Sequence, residues 1–209
     1  MKRFPIGVIG ISLALLAAAV GCGGGHGRSE GARKDPNVNM QEAADKADAL
    51  VYETFSTVKP PVEWTHDVSD HGSCGGESTG LGDVTRRAVV MTKVSKERRG
   101  ALLGIIERHW KKNGHKITDV SPNIDFPEIY AESGDGLLRM SLVVGGEGQF
   151  FLDVQTSCVK ESSVAPPATK VNGRSYYGEA IPRPNMEDAF WSSSEPLSST
   201  SASGDQAAF

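Results

Sequence analysis

Only three of the 209 residues are cysteine (Cys22, Cys74 and Cys158), and aromatic side chains make up just 7%. So few cysteines exclude a disulfide-dense scaffold, in which several bridges stand in for a hydrophobic core. A second long apolar run is also missing. Beyond Val20 nothing approaches the ~20 apolar residues of a spanning helix, which excludes a polytopic membrane protein. Glycine is plentiful, at 24, but follows no three-residue period, so a collagen-like chain is excluded as well. The hydrophobic fraction of 38% is too high for disorder throughout. At ~150 residues per domain, the length fits one domain with extensions.

What the chain does have begins at its start. Met1-Lys2-Arg3 is a short basic region, followed by an apolar stretch from Phe4 to Val20 that carries Pro5, Gly7 and Gly10 and ends in small residues. It is too short and too interrupted to span a bilayer, and reads as a secretory signal peptide over residues 1–21. No Ser-Arg-Arg-x-Phe context accompanies the basic pair, so the general secretion route is expected.

The segment Ala19-Val20-Gly21-Cys22 resembles the lipobox of bacterial lipoproteins. It departs from many lipoboxes in having Ala19 where they carry Leu. The resemblance implies cleavage before Cys22, a thioether-linked diacylglycerol on Cys22, and attachment to the outer face of the cell membrane. One acyl chain anchors only marginally, so a two-chain group suits stable attachment. An ordinary cleaved signal ending near Ala17-Ala18-Ala19 is the competing reading. Cysteine parity weighs against it, because three cysteines in an exported protein leave one unpaired. With Cys22 lipidated, Cys74 and Cys158 are expected to pair.

Residues 22–38 have no hydrophobic period, and Gly23-Gly24-Gly25 opens a flexible linker. An α+β domain is expected over residues 39–159. Asn39 and Glu42 make a capping box for a helix through Val58, with Ala43, Ala47, Leu50, Val51 and Phe55 at helical spacing, and Pro60-Pro61 stops it. A strand over Val62–Val68 leads into a Gly/Ser-rich loop, Ser69–Gly82, that holds Cys74. Thr85–Val94 is β-prone. Ser95 caps a second helix with the stripe Leu102, Leu103, Ile106 and Trp110, which ends at Asn113-Gly114. Strands follow near His115–Ser121 and Glu128–Ser133. Then comes a hairpin, with alternating Leu138–Val144 and Phe150–Val154 joined by Gly145-Gly146-Glu147-Gly148. Cys158 shares the parity of Val154 and should point into the core.

This order predicts a mainly antiparallel sheet of about five or six strands with both helices on one face. Residues 160–209, rich in Ser and Pro, read as a largely disordered tail in which Tyr176-Tyr177 and Phe190-Trp191 stand out. The arrangement is similar to small secreted lipoproteins of actinobacteria, where a helix, a terminal hairpin and a late cysteine recur; most of those lack an assigned activity.

Candidate chemistry is sparse. Gly76-Glu77-Ser78-Thr79-Gly80 matches the G-x-S-x-G pattern of hydrolase nucleophile elbows, with His109 and His115 downstream. An elbow needs an apolar strand before it and a helix after it, and neither flanks Ser78. His66-Asp67 and Asp70-His71, next to Cys74, are ligand types suited to zinc, and residues 66 and 70 share one face of a strand. Their spacing matches no zinc pattern, so solvated loop residues are expected. No cofactor and no catalytic constellation is predicted.

The charge pattern says more. The formal charge of −4 becomes −6 once Lys2 and Arg3 leave with the signal. Between Arg86 and Lys116, ten basic residues face only Glu97 and Glu107. Arg98, Arg99, Arg108, Lys111 and Lys112 on the second helix could contact anionic lipid or wall polymers, though plain solvation of the helix's outer face serves as well. Nucleic acid is not expected outside the cell, and no protein partner is identified. The resulting expectation is a membrane-anchored extracytoplasmic binding or interaction module. A structural envelope component using the basic 86–116 segment is the alternative, and a Ser78 hydrolase the remote third.

Overall fold

The computed structural model describes residues 34–75, 79–146 and 148–197. The expected signal peptide, the expected lipidation site Cys22, most of the linker, Ser78 and Glu147 therefore lie outside the described residues.

Asn39 caps the first helix, α1 (Met40–Ser56), through the expected box. Its side chain accepts from the Glu42 N–H, and the Glu42 carboxylate accepts from the Asn39 N–H. The second helix, α2 (Lys96–Lys112), starts after Ser95. The Ser95 hydroxyl does not cap it, however, and instead donates to Ser193 O in the C-terminal segment, at 2.5 Å.

Eight strands form one mixed sheet: β1 (Lys34–Asn39), β2 (Trp64–Ser73), β3 (Leu81–Val90), β4 (Lys116–Ser121), β5 (Glu128–Glu132), β6 (Leu138–Val144), β7 (Phe150–Thr156) and β8 (Cys158–Lys160). The order is β1-β8-β3-β7-β6-β5-β4, with β2 on β3. All pairs are antiparallel except β1 with β8. The expected five or six strands become eight for two reasons. Ser157 interrupts the last strand, leaving β8 as a continuation that still pairs with β3. The Lys34–Asn39 stretch, expected to be linker, pairs in parallel with β8 although it is polar and contains Pro36. Backbone pairing at a sheet edge needs no apolar signature, so composition could not reveal it.

Inward positions alternate as expected in the hairpin, where Met140 and Leu142 on β6 and Leu152 and Val154 on β7 are buried; Val84, Ala88 and Val90 on β3 are buried too. α1 packs on β3 and β7, α2 on β4 and β5, and both helices supply residues to one core. The helices meet where Trp110 Nε1 donates to Thr54 Oγ1, 3.0 Å away inside that core.

β2 runs to Ser73, five residues past the expected strand, and the Gly/Ser-rich connection shrinks to residues 74–80. Cys74 in that connection is disulfide-bonded to Cys158, closing 84 residues. Cys158 is buried, as its parity implied.

The expectation of a disordered tail is corrected for residues 161–197. They form an irregular strap fastened to the domain, and Trp191 is fully buried in its core. The strap first follows the β2 edge: the Trp64 N–H donates to Asn172 O and the Tyr176 N–H to Thr65 Oγ1, both at 2.8 Å. It then lies beside the end of β3, where Met91 O accepts from Asn185 and Met186 and the Lys93 N–H donates to Met186 O. An Asx turn on Asp188, whose Oδ1 accepts from the Phe190 and Trp191 N–H groups, swings the Trp191 indole inward, and its Nε1 donates to Pro60 O. A strap with few apolar side chains stays ordered because backbone groups of β2 and of Met91, Lys93 and Ser95, between β3 and α2, pair with it.

Candidate functional site

A charged network sits where the strap crosses between α1 and β2. Arg86 on β3 occupies an inward position and is 1% exposed. Its Nε stands 3.0 Å from Asp48 Oδ1 of α1, an ion pair off the hydrogen-bond axis. Arg86 Nη1 donates to Ser69 Oγ at 2.9 Å and Nη2 to Ala165 O at 2.8 Å. His66 on β2 sits edge-on to Trp64, with Nε2 3.1 Å from Thr169 O and 3.0 Å from its hydroxyl, while Nδ1 is buried without a partner.

Burial decides the protonation of this network. Desolvation raises the Asp48 carboxyl to about 6; the Arg86 charge opposes the rise, Asp45 adds to it, and the Ala168 backbone opposes it. His66 is lowered from the usual imidazole value, mainly by burial; its Thr169 bond opposes this and the Arg86 charge reinforces it. The arrangement locks strap, helix and strand together. A guanidinium with partners from three elements fixes their relative positions, which is the role such buried ionic groups serve when they specify a structure.

The three zinc-type candidates are not brought together, and the expectation that they are solvated loop residues is corrected for His66, which is buried on β2 and bonded to Thr169. A bulge between Asp67 and Asp70 adds one residue to β2, and that reverses the parity beyond it. His66 pairs with Ala88 on the inner face, whereas Asp70 pairs with Thr85 on the outer one. His66 is buried and His71 is exposed, and among the described residues no cluster of three metal-ligating side chains occurs. His109 shares a hydrogen bond with Asn113, and burial lowers both His109 and His115 from the usual imidazole range.

The basic segment is largely committed inside the molecule. Arg98, expected on the contact surface, is corrected: it is 5% exposed, donates from Nε to Phe190 O at 3.0 Å and lies 5.0 Å over the Phe190 ring. Arg99 donates to Asp125 O and is half-buried. Lys96 pairs with Asp125, Lys93 with Glu187, Arg87 with Asp153 and Lys111 with Glu107. Arg108 and Lys112 remain exposed on the outer side of α2.

The spacing did contain a signal for two of the buried cations. Arg86 has the parity of Val84 and Ala88, and Arg98 lies four and eight residues before Leu102 and Ile106 on one helical face. Their charge suggested surface. Nothing local marked Asp48, because its partner lies on another element.

A cleft of ≈ 360 Å³ opens beside this network, between the end of α1, the start of β2 and the strap. Phe55 and Trp64, with ring centroids 5.2 Å apart, form its apolar side, and Lys59 and Lys170 line it from the helix and strap sides. Comparison of the chain with protein-family models, curated proteins and solved structures finds no match.

Proposed function

We propose that this chain is an exported lipoprotein of the cell envelope, held by a diacylglycerol on Cys22 and presenting its α+β domain as a binding module. The observation that carries the reading is the Cys74–Cys158 bridge, which occupies two of the three cysteines and leaves Cys22 alone within Ala19-Val20-Gly21-Cys22. An exported chain with one unpaired cysteine exposes a reactive thiol unless that sulfur is otherwise engaged. No described helix is long and apolar enough to cross a membrane.

The alternative of a structural component gripping anionic polymers through residues 86–116 is weaker, because Arg86 and Arg98 are buried and most of the remaining cations there have carboxylate or carbonyl partners. The test is the intact mass of the native protein extracted from membranes. A chain beginning at Cys22 with diacylglyceryl mass is expected. An unmodified chain recovered from the medium with another first residue overturns the reading.

A further inference from the structure

We infer that the cleft between the end of α1 and the strap is a binding site for a small organic anion, a carboxylate, sulfonate or phosphate carried on an apolar or aromatic body. The inference deepens the binding-module reading by naming its ligand class, but it does not depend on the lipid anchor.

Three observations carry it. The first is the lining. Tyr52, 47% exposed, presents an accessible aromatic face, and the buried Phe55 and Trp64 form the apolar wall behind it, so a planar group can stack on Tyr52 without displacing the core. The second is the charge. Lys59 and Lys170 both line the cleft, and neither has an ion-pair partner among the described residues. No carboxylate lines it. Three other clefts differ in this respect: Glu161 lines one, Asp153 another, and Glu53 with Asp135 a third. The carbonyls at the end of α1 carry about half a negative charge, which two ammonium groups outweigh. A net positive cleft with an aromatic side therefore selects an anion with an apolar body over a sugar or a cation.

The third observation is that the walls are fixed. Asn172 O accepts from the Trp64 N–H, and Asn172 Nδ2 donates to Val62 O, both at 2.8 Å, which ties the Lys170 side of the cleft to β2. A site already held open loses little freedom when a ligand enters.

The test uses 2-naphthalenesulfonate and its neutral relative 2-naphthalenemethanol, each titrated calorimetrically into the purified full chain in one non-ionic detergent. Every variant then carries the same micelle background. The sulfonate should bind one to one, and Lys59→Ala with Lys170→Ala should weaken it about tenfold or more, as expected for lost charge-assisted bonds. The alcohol should be unaffected by that pair. Ser56→Trp, on an exposed helical position lining the cleft, should fill the cleft and abolish saturable binding of both. Sulfonate binding that is unsaturable, that ignores the lysine substitutions, or that survives Ser56→Trp in a protein of unchanged circular dichroism overturns the site. Failure here would leave the Cys22 mass result untouched, and the reverse also holds.

Discussion

Asp48 and Arg86 meet in a core where water cannot help either charge. Because desolvation raises the Asp48 carboxyl to about 6, the folded chain holds that proton more tightly than the unfolded chain, whose carboxyl titrates near 3.9. A group raised in this way adds stability at low pH, and the contribution fades as pH rises through about 6. His66 works in the opposite direction, since burial favours its neutral form, and Asp45 and Arg86 act on the same carboxyl. The comparison with Asp48→Asn isolates the site, because His66 is common to both proteins. From pH 7.5 down to 4.5 the wild type should gain about 2 kcal/mol on Asp48→Asn in chemical denaturation. Parallel pH profiles for the two proteins would rule out a titrating Asp48.

Trp191 gives the second prediction at this scale. Trp191→Ala removes a fully buried indole and its bond to Pro60 O, and should cost about 3–5 kcal/mol in equilibrium unfolding. A loss below 1 kcal/mol would mean that the indole is not part of the core.

At the scale of elements, local signals and non-local ones part company. The α1 cap, the α2 stop at Asn113-Gly114 and the β6–β7 hairpin were legible because each depends on residues a few positions apart. Even Gly148, at φ 76°, was marked by its glycine-rich turn. The β2 bulge was not legible, since a single added residue leaves no compositional trace while turning every later side chain over. The strap was missed for a related reason: its order comes from edge hydrogen bonds to β2 and from one aromatic plug, and neither produces a periodic stripe.

The strap's fastening can be checked directly. A chain stopped after Pro184 loses the contacts of residues 185–193 with Met91, Lys93, Ser95 and Pro60 but keeps Asn172 on Trp64. Such a truncation should unfold at lower temperature than the full chain. It should also show faster amide exchange at Lys93 and Ser95, while the Trp64 amide, still bonded to Asn172, exchanges as before. Equal protection at Lys93 and Ser95 with and without residues 185–209 would show that the segment does not cover them.

On the scale of the whole molecule, the disulfide and the core share the work of holding the sheet's β8 end. A bridge spanning 84 residues restricts the unfolded chain enough to contribute about 4.5 kcal/mol in the chain-entropy limit, a large share of an ordinary domain's stability. Substituting both Cys74 and Cys158 by Ser should therefore lower the unfolding free energy by up to that amount. The buried β8 strand beside β1 and β3 would keep the native arrangement under mild conditions. The same bridge sets a count that couples the fold to the proposed anchor. Thiol titration of the fully denatured, unreduced native protein should find no free sulfhydryl if Cys22 carries lipid, and one if Cys22 is unmodified. Two or more would mean that Cys74 and Cys158 are not joined, which would remove both the stability contribution and the parity that singles out Cys22.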